Sequence, residues 1–553
     1  MSPTIDEVGF MAAGLSHWQT GRFHAYAANP PLVRLWATLP VLALRPVTNW
    51  ERMTGSVSSR EEMIFGEEFI KKNRDRYREF FLIARLACIG FTIAGAVWIR
   101  SWASQLYGKE AGNSAAALWC FSPMVLGHGS LIATDVAAGI FGFLAFRSLR
   151  AWIHRRTFAS TTLMGIAVGL ALGTKFTWIP IILPLFLLLW ILARWQMRDS
   201  CQYWRLDAAH LFLAIVVSLV VLNGLYGFED SGMPLGQIPF VSRNLMDFQA
   251  NREANRFSGT LVGNIPVPLP KTLLQGVDFQ KHDFEHMGYA RSYLCGNWQN
   301  GGWWYYYVVG VAVKTPIGTL LIAIVGLICY IRRIIGDRAS RRCRPSIGWN
   351  RANKLSPWLE SLFLLAPATA LFLLVSLERG FNAHFRYVLP AFPFACVLLS
   401  RVAAVENGAI KKLVRLCLLL QLASVFAWGP FWIGYFNELV GGPKHGGKWM
   451  LGSSVDWGQD LYELRCWQDL HPESCPIRVD LCTSCDLESL GIIFNGRPTE
   501  KDLQDMRSGW YAISVNRLRG QDISGMPSDV YSPFLNRSPD AWIGYSICIF
   551  HLK

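Results

Sequence analysis

The chain has 553 residues, 52% of them apolar, 13% aromatic and only 17% charged, with a mean hydropathy of +0.25. Soluble domains usually carry about 25% charged residues, so the composition excludes an ordinary soluble enzyme and a disordered chain alike and points to a membrane protein. Lys and Arg (53) exceed Asp and Glu (39) by 14; in a membrane protein such a surplus marks cytoplasmic loops rather than a nucleic-acid partner.

The opening residues MSPTIDEVGF lack the basic and apolar regions of a cleavable signal peptide. Pro30 to Pro46 is amphipathic and too short to span, and reads as an interfacial helix within a first external segment, residues 1–84. Ten apolar stretches follow, near 85–105, 112–128, 136–153, 161–174, 177–194, 209–226, 306–331, 357–377, 387–405 and 413–433. A spanning helix needs roughly 20 apolar residues. The fourth and fifth share one block broken at Gly173-Thr174-Lys175. Two short helices are expected there, because a mid-membrane Lys costs about 3 kcal/mol.

Arg147 to Arg156, Arg194 to Arg205, Arg332 to Lys354 and Arg401 to Arg415 fall on one side of this arrangement, which the positive-inside rule makes cytoplasmic. The alternate turns, and with ten crossings both termini, then face outward. The expected organisation is a first external segment (1–84), a transmembrane helical domain (85–433) holding a large external loop (227–305), and a C-terminal external α/β domain (434–553). In the tail, strand-like runs (PIRVDLC, WYAISV, WIGYSICIFHL) alternate with a helical run after Asp456. Cys466, Cys475, Cys482, Cys485 and Cys548 lie there, so an oxidising compartment predicts a disulfide or two. A redox or zinc pair at Cys482-Thr-Ser-Cys485 is the weaker alternative.

Chemistry is suggested by where the charges sit. Asp6, Glu7 and Asp135 gather at one face of the bilayer, suited to deprotonating a hydroxyl or holding a divalent metal ion. Thr134-Asp135 as a helix N-cap is an equally good and compatible reading, and for Asp6 and Glu7 alone solvated terminal acids are the plainer one. Lys175 and Arg386 are outward cations able to receive a phosphate, as is the run Lys71 to Arg78, against the plainer reading of each as a snorkelling or solvated side chain. The cluster Trp298, Trp303, Trp304, Tyr305, Tyr306 and Tyr307 fits an interfacial aromatic belt, with sugar stacking as the minority reading.

Asp6-Glu7, Asn29-Pro30-Pro31-Leu32, Ala84-Arg85-Leu86, Ser122-Pro123, His128-Gly129 and Thr134-Asp135, taken in order, resemble the protein O-mannosyltransferase-like membrane glycosyltransferases, glycosyltransferase family 39. Phe381 to Pro390 looks like that family's Arg-aromatic-x-Leu-Pro element. Tyr435 to Pro443 with Asp456-Trp457-Gly458-Gln459-Asp460-Leu461 is similar to a bacterial branch with a C-terminal periplasmic domain. The resemblance implies a GT-C fold, an all-α multi-pass bacterial inner-membrane protein, and inverting transfer of a hexose from a polyprenyl-phosphate sugar to a protein or lipid-linked acceptor. It implies Asp6 as general base with Glu7 beside it and Asp135 as a further catalytic acid. Lys175 and Arg386 would bind the donor phosphate, and His128, Trp303 and Asp456 would contact substrate. A divalent metal, if used, would lie at Asp6 and Asp135. Relatives have a membrane helix before the acidic pair, so a further helix encoded upstream is expected, and Asn29 stands where relatives often carry Lys or His. The rival class is a lipid or solute transporter or flippase, which expects functional polar groups near mid-membrane and broken helices.

Overall fold

The computed structural model describes residues 1–55, 60–197, 204–246, 255–287, 291–339, 355–377, 381–523 and 526–553. Most of the basic connection 340–354, with residues 198–203 and 378–380, which bear on the orientation above, lies outside the described residues.

The chain opens with helix α1 (Ile5–Thr20), whose residues Glu7 to His17 are all buried. Helix α2 (Leu32–Leu42) corresponds to the proline-flanked stretch. It buries Val33, Ala37 and Val41 and leaves Trp36 and Leu39 exposed, as an interfacial helix should. Helix α3 (Glu61–Lys72) leads into α4 (Tyr77–Tyr107), α5 (Lys109–Cys120), α6 (Pro123–His128), α7 (Thr134–Arg155), α8 (Phe158–Leu172), α9 (Ile179–Met197) and α10 (Trp204–Leu225). Helix α11 (Lys271–Met287) and the antiparallel hairpin β1 (Arg291–Leu294) and β2 (Asn297–Asn300) lie in the loop after α10; the hairpin is absent from the sequence reading. Helices α12 (Tyr306–Lys314), α13 (Ile317–Ala339), α14 (Pro357–Leu377), α15 (Phe392–Ser400) and α16 (Gly408–Trp428) follow.

Among the described residues all ten apolar stretches are helical, but six helices there are long and apolar enough to cross a membrane, or seven if the pair α12 and α13, bent by 113°, is one span. The difference from ten has local causes. The 112–128 stretch breaks at Phe121-Ser122, ahead of Pro123, into α5 and α6; α8 has only 15 residues; α16 carries Lys411, Lys412 and Arg415. Between α8 and α9 the chain does turn at Gly173-Thr174-Lys175, followed by a short 3-10 turn, Phe176–Trp178.

The tail holds α17 (Leu461–Leu470) and a four-stranded sheet of β3 (Arg478–Asp480), β4 (Gly509–Ser514), β5 (Ala541–Ile543) and β6 (Ile547–Leu552) in the order β3-β4-β6-β5. β3 pairs parallel to β4 and the other pairs are antiparallel. The run WIGYSICIFHL is a hairpin, not one strand: Gly544 and Tyr545 take φ of 57° and 66° and reverse the chain between β5 and β6. Every described cysteine is a free thiol, the five tail cysteines included, contrary to the disulfide expectation. Cys482 Sγ lies against Ser514 Oγ (3.5 Å) and Cys485 Sγ against the Pro3 carbonyl (3.9 Å), so the CxxC thiols face different partners.

Candidate active site

Four separate elements bring charges to one point. Asp6 stands in the first turn of α1, Asp135 in the first turn of α7, Lys175 in the turn before α9, and Arg386 in the 3-10 stretch Phe385–Ala391 that leads into α15. Lys175 Nζ donates to Asp135 Oδ1 at 2.5 Å. Arg386 bridges the two acids, Nη1 to Asp135 Oδ2 at 3.3 Å and Nη2 to Asp6 Oδ2 at 2.9 Å. Asp135 is 1% exposed, Lys175 8% and Arg386 9%, so these ion pairs act in a dry setting where charge-assisted bonds are strong. Asp6 is the accessible member, its side chain 22% exposed.

Local packing sets the positions. Trp178 Nε1 donates to the Ala138 carbonyl at 2.9 Å, and its ring lies over Gly142, where an added Cβ would come within 1.8 Å of Trp178 Cζ2. This contact pins the Lys175 turn to α7 and brings the ammonium to Asp135. Helix α7 begins after Ala133, and no side chain caps it. Both Asp135 oxygens are engaged by cations, so the capping reading gives way.

The cluster faces a cavity of about 620 Å³ that is lined by Asp6, Asp135, Lys175 and Arg386 together with Tyr26, Arg60, Asp283, His384 and Tyr387. Such a volume suits a ligand of small-molecule size. Arg60 and Asp283 form an ion pair across the cavity wall. The Tyr387 ring lies 4.7 Å from Lys175 Nζ, and the Trp457 ring 3.9 Å from the Arg386 guanidinium carbon. Burial, and then Arg386 nearby, pushes His384 down to about 3, so this imidazole is neutral and accepts or donates a 2.8 Å bond with Ser453 Oγ. One donor is left over: Arg386 Nε is buried and meets no acceptor among the described residues. A buried unpaired N–H is costly, and a ligand oxygen would relieve it.

The other expected site residues lie elsewhere. Glu7 points away from the cavity. It accepts from Arg85 Nη2 (2.5 Å) and Nε (2.9 Å), from the Ile132 backbone (3.1 Å) and from Thr4 (2.9 Å), tying α1 to α4 and to the loop before α7. Burial pushes its carboxyl upward, but Arg85 and these bonds outweigh it and hold Glu7 below the usual range. His128 is buried against the Trp457 ring at 5.8 Å, and burial lowers it to about 3. Trp303 donates its backbone N–H to Asn382 Oδ1 at 2.5 Å and does not line the cavity. Asp456 accepts from Gly458 N at 2.9 Å and from Ser514 Oγ, a loop-building role away from the cavity. The run at 71–78 is spent on other contacts, such as Arg76 with Glu79 and Arg78 over the Tyr462 ring.

Asp6 and Asp135, the two carboxylates expected to hold a divalent metal, both line the cavity and each faces a cation. Among the described residues no group of three His, Cys, Asp or Glu side chains is placed to hold a metal, and the two carboxylates at the cavity already face Arg386 and Lys175.

No family model matches the chain, and no curated protein does. Two solved structures resemble the whole chain. Both are of ArnT from Cupriavidus metallidurans. The apo structure gives a TM-score of 0.43 at 13% identity over 99% of this chain and 93% of that one. The structure bound to undecaprenyl phosphate gives 0.41 at 12% identity over 98% and 93%. Identity this low carries no residue-by-residue correspondence.

Proposed function

We propose that the protein is a membrane glycosyltransferase of GT-C type that moves a sugar from a polyprenyl-phosphate donor to an acceptor hydroxyl at the external face of a bacterial inner membrane. The finer reading is transfer of a hexose, mannose in the first instance, to a protein or lipid-linked acceptor with inversion. The observation that carries this is the meeting of Asp6, Asp135, Lys175 and Arg386, drawn from four elements, at the wall of one cavity.

A glycosyl phosphodiester brings its own leaving group. The enzyme therefore has two tasks: to take the proton from the acceptor and to stabilise the departing phosphate. In this reading the acceptor oxygen attacks the anomeric carbon opposite the phosphate. Its proton passes to the Asp6 carboxylate, the C–O bond to phosphate breaks, and that oxygen keeps the electron pair. Lys175 and the free Nε–H of Arg386 meet the phosphate charge. Asp135 touches both cations and serves as their orienter, so that little reorganisation is needed when the ligand arrives.

Membranes holding the protein, incubated with labelled polyprenyl-phosphate sugars, are expected to release the label into a non-donor product, and Asp6→Asn membranes are not. Failure across mannosyl, glucosyl and aminoarabinosyl donors would overturn the reading. For orientation, a reporter active only in the periplasm is expected to work when fused after Lys553 and fail when fused at Arg342.

The transporter alternative has one feature in its favour, the sharp bend between α12 and α13 beside buried Lys314. That ammonium, however, is occupied by the carbonyl oxygens of Ile433 and Ser454 and does not line the cavity. It braces the bend rather than offering a midway site.

A further inference from the structure

The C-terminal domain reaches the cluster through one side chain. Trp457 belongs to the loop Asp456-Trp457-Gly458-Gln459-Asp460 that opens the α/β domain, yet the guanidinium carbon of Arg386 lies over its indole, 3.9 Å from the ring centre. The ring is 3% exposed and is flanked by the neutral, buried imidazole of His128.

The loop that presents it is fixed at every neighbouring position. Trp457 N donates to Gln459 Oε1 at 2.7 Å, and the Trp457 carbonyl accepts from Ile5 N at 3.0 Å, the residue next to Asp6. Gly458 donates to Asp456 Oδ1, and Ser514 in β4 binds the other oxygen of Asp456. One rigid turn therefore touches both the arginine and the backbone that carries its acid partner.

Arg386 needs such support. Its two Nη atoms are committed to Asp135 and Asp6, while Nε is left open. A guanidinium is planar, so fixing the plane fixes the direction of the free Nε–H, and an aromatic face laid against it does this while adding cation–π attraction, strongest for Trp and in dry surroundings.

We propose that Trp457 is a positioning residue: its indole holds the Arg386 guanidinium in the plane that aims Nε–H at the donor phosphate, so that the C-terminal domain forms part of the transfer site. The inference rests on the reading of the cavity as a phosphate-donor site.

The test uses the full chain in lipid nanodiscs, with Trp457→Phe and Trp457→Leu beside the parent protein. Undecaprenyl phosphate affinity is measured directly, and donor KM and kcat are measured with a polyprenyl-phosphate sugar. Loss of a desolvated cation–π contact is expected to weaken phospholipid binding by about tenfold in Trp457→Leu, and Phe is expected to restore most of it. Because Trp457 is buried, Trp457→Leu is also expected to melt lower; the loss that marks positioning is in KM and affinity, and it is recovered in Trp457→Phe. A packing defect alone would lower melting temperature and apparent kcat together, with KM unmoved, and would overturn the proposal. Should the Leu variant fail to fold, Trp457→Phe decides: a weakening of a few fold supports it, and parental affinity overturns it. If the parent protein itself neither binds undecaprenyl phosphate nor transfers, the donor-site reading falls and this inference with it. If the parent binds and the Leu variant binds equally well, only the role of Trp457 falls.

Discussion

Gly142→Ala tests whether the Lys175 turn is held in place by the Trp178 contact. An alanine Cβ would sit 1.8 Å from Trp178 Cζ2 and 2.2 Å from Cε2. Ordinary carbon contacts need about 3.5 to 4.0 Å, so the ring must retreat by roughly 2 Å. It has nowhere to go without loss, since Trp178 is fully buried and its Nε1 holds the Ala138 carbonyl. Overpacking of this kind costs about 1–3 kcal/mol and the lost hydrogen bond about 1 more, against a helix-propensity gain of up to about 1 from replacing glycine. The larger effect falls on activity. Trp178 N donates to the Lys175 carbonyl within the same turn, so the retreat carries Lys175 away from Asp135. A misplacement of about 1 Å typically lowers rate by about 10² fold. Transfer of labelled sugar in membranes, with thermal stability in detergent alongside, reads both effects. Gly90→Ala on α4, with nothing within 4 Å of the added Cβ, is the neutral control. Adding Trp178→Phe to Gly142→Ala frees space and should recover part of the loss. Wild-type turnover by Gly142→Ala would refute the pinning argument.

Asp6→Asn keeps size and a carbonyl acceptor for Arg386 but cannot take a proton. Transfer should fall by about 10² to 10⁴ fold with normal accumulation, whereas Asp135→Asn also strands buried Lys175 and Arg386 and should lose about 3–5 kcal/mol in a thermal melt. Glu7→Gln should act on stability, not chemistry, costing about 3–5 kcal/mol by leaving Arg85 unpaired. Because Glu7 lies below its ordinary value, its contribution is present at neutral pH and fades as pH falls through its lowered folded value; acid titration of the melting temperature should show that fade in the parent and not in the variant. Asp456 has the opposite sign: burial raises it to about 6 against its bonds to Ser514 and Gly458, so the folded chain holds the proton more tightly than the unfolded chain, and stability drops between about pH 4 and pH 6 as pH rises. Asp456→Asn removes that drop, and above pH 6 it should melt higher than the parent, by up to about 3 kcal/mol. Equal melts from pH 4 to pH 8 would count against the buried-acid account.

The sequence made the charged members of the cavity legible and left their division of labour hidden. Asp6 and Glu7 are neighbours in the chain, but successive helical residues diverge by about 100°, so one reaches Arg386 while the other reaches Arg85. Lys175 stood out because a lysine inside an apolar block demands a reason, and its reason, Asp135, lies 40 residues away. Tyr387 and Trp457 carry no role in the sequence analysis, although both lie in stretches that bear the resemblance. Reading for polar chemistry favoured Asp456, whose oxygens serve the loop, over the aromatic neighbour that touches Arg386. The ten expected spans and the long apolar helices of the structure differ where apolarity persists through a break or a kink, as at Ser122-Pro123 and Thr315-Pro316, because hydropathy measures burial or lipid contact and says nothing of direction. The disulfide expectation drew on compartment and spacing alone, which cannot tell whether two thiols point at each other.

Four bonds join the first residues to the loop at 457–461: Ser2 N to the Gln459 carbonyl at 2.8 Å, Ser2 Oγ to the Gly458 carbonyl at 2.7 Å, Leu461 N to Ser2 Oγ at 3.0 Å, and Ile5 N to the Trp457 carbonyl. Their partners lie 456 residues apart for the second of these. At a ribosomal pace of about 5–20 residues per second, the start of α1 must wait on the order of half a minute or more before the loop that seats it has been made. Throughout that interval α1 is held through the bonds of Glu7 to Arg85 and Ile132 but lacks the backbone bond that seats Ile5, the residue next to Asp6. On the proposed reading of Asp6 as the base, the full seating of α1 therefore comes late in biosynthesis, and a chain arrested before residue 457 is expected to insert without transferring sugar.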